Sequence, residues 1–171
     1  MNADELRAIQ APLKNQYRTE PDRARITLRA SGRLDQTAIT CRVETGQALV
    51  AAGLHPATGG TGLEACSGDL LLQALVACAG VTLRAVATAL AVPLSDGRVS
   101  AEGDLDFRGT LGVSKEVAVG FQAIRLRFEL DTDATEEQLA TLLKLTERYC
   151  VVLQTLRVPP AVSVACAARP D

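Results

Sequence analysis

Five cysteines (Cys41, Cys66, Cys78, Cys150 and Cys166) and a single histidine, His55, are the residues of this chain best suited to redox or metal chemistry. No CxxC pair occurs and no Cys/His cluster stands at ligand spacing, so neither a bound metal nor a cofactor is expected. Cys41 and Cys166 lie among β-branched neighbours in strand-like segments, where a thiol reads as a small buried hydrophobe. Cys78 and Cys150 are different. Each is central to one of two long predicted helices, within "LLLQALVACAGVTLRAV" and "ERYCVVLQTLR". Two helices crossing near their middles bring such sulfurs to disulfide distance, and Gly80 permits a close crossing. Cysteine is also among the most buried residue types. Spacing therefore leaves packing and redox reactivity both open for this pair.

Reactivity has a further requirement. A thiol in mid-helix gains little from its own helix N-terminus, so a reactive Cys78 needs a cation from another element and a carboxylate to hold that cation. Arg84, six residues further along the same helix, is rotated well away from Cys78. Arg18, Arg23, Arg25, Arg33 and Arg42 are available from the N-terminal segment and the strands that follow it. Asp69 is a candidate holder, and equally a carboxylate favourably placed at a helix N-terminus.

The elements that must position these residues are readable from periodicity. "ARITLRASG" and "QTAITCRVE" alternate apolar and polar residues on either side of "SGRLD" and predict a hairpin. "ALVAAGLHPATGGTG" begins as a short strand and ends as a Gly-rich loop. Residues 69 to 91 predict a helix, with Ser67 as N-cap, apolar on nearly all faces and hence central and buried. "GRVSAEGDLDFRG" and "VGFQAIRLRFELD" alternate again, the second placing Phe121, Ile124, Leu126, Phe128 and Leu130 on one face. Thr135 and Gln138 form a capping-box signature before a helix over residues 136 to 157. Its core stripe is Leu139, Leu142, Leu143, Tyr149, Cys150, Leu153 and Leu156. Pro159 and Pro160 stop that helix, and "AVSVACA" predicts a closing strand. The order of elements gives an α+β fold with sheet packed on long helices.

Composition narrows the function classes. A length of 171 residues suits one domain with a real core, and no linker divides the chain. A net charge of −2, with aromatics at only 3% and scattered, leaves no basic footprint or stacking platform, so nucleic-acid binding is not expected. The N-terminus has no apolar signal region, and the apolar run at 70–83 is too short to span a bilayer. The expectation is a cytoplasmic protein with reduced thiols and no membrane partner. Two long apolar helices and few aromatics leave more apolar surface than one thin sheet covers, which points to a dimer.

The stretch "CSGDLLLQALVACAGVTLRAVATAL" resembles the first cysteine helix of the OsmC/Ohr family (osmotically inducible protein C and organic hydroperoxide resistance protein), in which acidic residues precede an LL-x-A-x-x-A-C run. "ERYCVVLQTLR", about 70 residues later, is similar to the family's second cysteine helix. "HPATGG" has the place of its pre-helix loop, and "IQAPLKNQYRTEPDRARITLRA" resembles the N-terminal extension of one OsmC-like subgroup. The resemblance covers nearly the whole chain. It implies one OsmC-like domain over residues 1–171 with an N-terminal helical extension at 1–24. It also implies antiparallel sheets around two long central helices in an intertwined homodimer.

The activity implied is a thiol-dependent reduction of organic hydroperoxides, with Cys78 becoming a sulfenic acid, Cys150 resolving it and a dithiol restoring the pair. Arg18, and after it Arg42, are the candidate activating cations, with Asp69 as holder. His55, Glu64 and Cys66 are candidates for the substrate pocket. Gly68 stands where the family's peroxidases usually carry Glu. A non-catalytic OsmC-like protein, binding a small ligand or sensing redox state, is the other reading; Gly68 favours it, and the Cys78/Cys150 pair favours the enzyme.

Overall fold

In the computed structural model, the residues described are 2–5, 8, 10, 11, 19, 31–34, 40–44, 49–112 and 114–167, with backbone alone described through 31–34 and 40–44. The N-terminal stretch has helical backbone at residues 3–5, 8, 10, 11 and 19. Asn2 and Glu5 cap its start reciprocally: the Glu5 N–H donates to Asn2 Oδ1 and the Asn2 N–H to Glu5 Oε2, both at 2.9 Å. Pro12 lies outside the described residues.

The expected hairpin is present, one step later than the alternation suggested. Strand β1 (Ser31–Leu34) occupies the segment expected to turn and pairs antiparallel with β2 (Thr40–Glu44), Leu34 opposite Cys41. Strand β3 (Leu49–Gly53) continues the meander, and the two-residue β4 (Ala65–Cys66) joins it in parallel. Between β3 and β4, a single 3-10 turn (Pro56–Thr58) is capped by His55, whose Nδ1 accepts the Ala57 N–H at 3.1 Å.

Helix α1 (Ser67–Leu90) begins two residues before the expected start, and its N-cap is Cys66 rather than Ser67. It ends where Ala91 turns left-handed, at φ 55, with its N–H bonded back to the Ala87 and Thr88 carbonyls. At 24 residues it is long and apolar enough to cross a membrane by length and composition, which the 70–83 run alone is not. Leu75, Ala79, Leu83 and Ala87, spaced by four, form its buried stripe and carry the core. The expectation of burial on nearly all faces does not hold within one chain: Val81 is 73% exposed, because the neighbouring sheet and helices cover one side only.

Beyond it, β5 (Asp96–Leu105) and β6 (Phe121–Asp131) form a separate two-stranded antiparallel sheet. Its inner residues are those the alternation picked out, Phe121, Ile124, Leu126, Phe128 and Leu130. An irregularity at Asp104/Leu105, which skips Gln122, lets Phe121 share the face of Ile124 despite a spacing of three. A short helix, α2 (Phe107–Thr110), is capped by Asp106 in the connection. On the outer face Arg125 pairs with Asp104 and Glu102.

Helix α3 (Glu136–Tyr149) starts at the expected capping box, Thr135 and Gln138 each bonding to the other's backbone. The single helix expected over 136–157 is two. Cys150 is extended (φ −73, ψ 106), and α4 (Val151–Arg157) restarts after it. Tyr149, expected in the core stripe, is the last residue of α3 and is 57% exposed, with Arg148 over its ring. Nor does "AVSVACA" form a strand. Residues 161–167 have no sheet partner among the described residues, Val162 and Val164 are exposed, and so is Cys166, which was expected to be buried.

Two apolar clusters lie along α1. One joins Leu83, Ala87 and Val92 to Leu142; the other joins Leu75 and Ala79 to Cys150. Between Leu142 and Cys150, Thr146 is 1% exposed, and its hydroxyl has no hydrogen-bond partner among the described residues. A buried hydroxyl without a partner keeps its desolvation cost. Thr146→Val is therefore expected to raise the unfolding free energy by about 1 kcal/mol, seen as a higher urea midpoint at unchanged slope.

Candidate functional site

The second cluster holds the two cysteines whose spacing suggested chemistry. Cys150 is fully buried against Leu75 and Ala79, and Cys78, half-buried, packs beside it with Val152 and Leu153. Both are free thiols, packed together in this one cluster. The expected meeting of the two cysteine helices is thus present, and it occurs at the break between α3 and α4.

That break is an exchange of hydrogen bonds. In an uninterrupted helix the Val151 N–H would donate to the Glu147 carbonyl and the Val152 N–H to that of Arg148. Here α3 closes with the Cys150 N–H on the Thr146 carbonyl at 3.0 Å, and α4 opens with the Gln154 N–H on the Cys150 carbonyl at 2.9 Å. The N–H groups of Val151 and Val152 are left without these helical partners and favour the charged form of the Cys78 sulfur. The Glu147 carbonyl is taken instead by the Gln154 side-chain amide, at 2.6 Å.

The electrostatics follow from these donors. Burial pushes the Cys78 thiol up, but the Val152 N–H, the Cys150 thiol and the Val151 N–H favour its thiolate, and the net shift is downward. Thr82 is also in reach, yet its one hydroxyl proton is donated to the Cys78 carbonyl at 2.7 Å, so the backbone donors carry the greater weight. Cys150 moves the other way. Burial raises its thiol, and the proton it lends to Cys78 and the charge that builds there raise it further, against the N–H groups of Leu153 and Val152.

Cys78 therefore ionises first and Cys150 remains its proton donor. A lowered value means more thiolate at a given pH. Iodoacetamide near neutral pH is thus expected to label Cys78 ahead of Cys150, with the Cys78 rate levelling off at a lower pH than that of an ordinary cysteine. Peptide-resolved mass spectrometry of the labelled protein reads both.

The remaining candidates are placed as follows. Arg18 lies outside the described residues, and Arg42 is described only as backbone in β2. Among the described residues, the groups acting on Cys78 are amides, a thiol and a hydroxyl, with no cation. Asp69 is in the first turn of α1 and lines a shallow depression with Leu72, Gln73 and Ala101. Nine residues of helix turn its side chain about 180° from that of Cys78.

Cys66, at the head of α1, is about 18 Å along the axis from Cys78. Gly68 sits under Phe121, where an added Cβ would be 3.4 Å from the ring and 3.7 Å from Leu105, an apolar setting. His55 stacks on Phe107 at 4.9 Å, and Glu64 accepts from the Thr61 hydroxyl at 2.8 Å. A groove of about 610 Å³ runs between β6 and the helices over Leu75, Ile124, Leu126, Leu153 and Leu156, with Arg127 and Arg157 also lining it. It shares its apolar wall with the cysteine cluster, although neither sulfur lines it. No group of three or more potential metal ligands occurs among the described residues.

The comparisons with known proteins bear on what this cluster is. Residues 60–165, which include both cysteine helices, match the family described as OsmC-like protein. The chain belongs to that family. No curated protein matches this OsmC-like chain. Among solved structures, an OsmC-like protein from Mycoplasma pneumoniae superposes with a TM-score of 0.64 at 16% identity, covering 78% of this chain and 89% of that one. An organic hydroperoxide resistance protein from Elizabethkingia anophelis gives 0.63 at 15% identity, over 79% and 91% of the two chains. The OsmC organic hydroperoxide resistance protein from Legionella pneumophila gives 0.60 at 18% identity, over 78% and 90%. At these identities the likeness shows a shared OsmC-like fold.

The donors that act on Cys78 were missed in the sequence, which treated 136–157 as one helix and sought a cation instead. The local signal for the break is slight: two consecutive β-branched residues, Val151 and Val152, each a modest helix former.

Proposed function

We propose that this OsmC-like chain is a thiol-dependent peroxidase that reduces organic hydroperoxides through Cys78 and Cys150. The observation that carries the reading is the packing of two free thiols in one apolar cluster, Cys78 from α1 against Cys150 at the α3–α4 break, with backbone N–H groups favouring the Cys78 thiolate and burial raising the Cys150 thiol. The Cys78 thiolate attacks the peroxide: its lone pair forms the S–O bond as the O–O bond breaks, the alkoxide leaves and takes a proton, and Cys78 becomes a sulfenic acid. The Cys150 sulfur then attacks that sulfur, water leaves and the Cys78–Cys150 disulfide forms. A dithiol reductant returns both thiols by exchange and is itself oxidised. The apolar wall beside the sulfurs suits a substrate with a hydrocarbon tail.

A homodimer in the cytoplasm completes the proposal. A second copy would cover the side of α1 that one chain leaves open, Val81 included, and reducing surroundings would keep the thiols ready. Stoichiometric cumene hydroperoxide is the test: two thiols per chain are lost, and the Cys78 and Cys150 peptides are recovered as one disulfide-linked species. Thiols that persist after the peroxide is added overturn the reading. A disulfide that forms stoichiometrically and is returned to thiols by a dithiol, but sustains no further peroxide turnover, supports the redox-sensing alternative that Gly68 favours.

A further inference from the structure

The break at Cys150 needs something to hold it. Two helical segments separated by a single extended residue can fuse by restoring the bond from the Val151 N–H to the Glu147 carbonyl, and that bond would draw the N–H away from Cys78. The carbonyl is not vacant. Gln154 reaches back seven residues, and its half-buried Nε2 donates to it at 2.6 Å, while the Gln154 main-chain N–H closes the first turn of α4 on Cys150 at 2.9 Å. Arg157 adds an exposed tie, donating to the Glu147 carboxylate at 2.8 Å. One glutamine thus satisfies an orphaned carbonyl and anchors the restart of the helix.

We propose that Gln154 is a positioning residue, whose side-chain amide occupies the Glu147 carbonyl and so keeps the Val151 N–H free to face the Cys78 sulfur. It touches neither sulfur and acts through the backbone of Glu147 and Val151. Without its donor the half-buried carbonyl would lack a partner, and the nearest replacement is the Val151 N–H. Fusing the helices then costs Cys78 one of the N–H groups that favour its thiolate.

This inference rests on the reading of Cys78 as a reactive thiol, but its test needs no peroxide. Gln154→Met keeps the length of the side chain and removes the amide. The readout is the pH profile of Cys78 alkylation by iodoacetamide, resolved by peptide, with Cys66 in the same sample as reference. The Cys78 midpoint is expected to rise by about one pH unit, a loss on the order of tenfold in rate at a fixed pH below it, while the Cys66 profile stays in place. A Cys78 profile superimposable on the parent's, in a variant that melts cooperatively, overturns the proposal; so does an equal shift at both cysteines. If the methionine variant does not fold, Gln154→Lys, which keeps a donor, is read instead: its Cys78 midpoint should lie at or below the parent's, and an upward move overturns the proposal. A parent inert to cumene hydroperoxide would end the peroxidase reading and leave this one standing, whereas an active parent with an unshifted methionine variant would end this one alone.

Discussion

Cys78→Ser is expected to reduce cumene hydroperoxide consumption to the uncatalysed background, a loss on the order of 10³-fold or more. The substitution barely changes volume, and the Val151 and Val152 N–H groups and the Cys150 thiol still face position 78. What goes is the nucleophile. A serine hydroxyl is not ionised near neutral pH, and two amides and a thiol do not change that, so no lone pair of comparable reactivity meets the O–O bond. Four other cysteines remain in the chain, and Cys166 among them is exposed, so the variant also measures whatever untuned thiols contribute. Consumption at the parent's rate in Cys78→Ser would show that position 78 is not the nucleophile.

Cys150→Ser is expected to separate the first step from the second. The serine keeps a small group with one donatable proton beside Cys78, so the thiolate persists and the first equivalent of peroxide is consumed. Resolution then fails. In the parent the resolving sulfur is already in contact with Cys78, and an external thiol must replace it by a bimolecular encounter at a half-buried site. Sustained turnover with a dithiol should fall on the order of 100-fold or more. A second peroxide then competes for the sulfenic acid and drives it to the sulfinic state, which mass spectrometry of the Cys78 peptide detects as two added oxygens. Undiminished turnover in Cys150→Ser would assign the resolving role elsewhere.

Local order was legible in the sequence wherever it depends on near neighbours. The alternation in "VGFQAIRLRFELD" named the inner face of β6, and Thr135 with Gln138 located the start of α3 to the residue. A strand's faces and a helix's cap are decided within a few residues, so pattern suffices for them. The pairing of Cys78 with Cys150 came from family resemblance, since helical spacing left packing and reactivity open.

The tertiary structure decided the details on which reactivity turns. Within the chain's own pattern, residues 136–157 read as one helix, because the penalty for two β-branched residues is a few tenths of a kcal/mol each and no Pro or Gly intervenes. The break at Cys150 is held by contacts that pattern does not show, the Gln154 amide on the Glu147 carbonyl and the packing of Cys150 against Leu75 and Ala79. Sequence reasoning therefore placed Cys78 in mid-helix, without help from its own helix, and looked for a cation. The fold supplies backbone N–H groups from a different helix. Residue types and short-range periodicity determine which groups could react and which elements carry them. Whether a thiol ionises depends on a few ångströms of approach between segments some 70 residues apart, and that distance is a property of the folded chain.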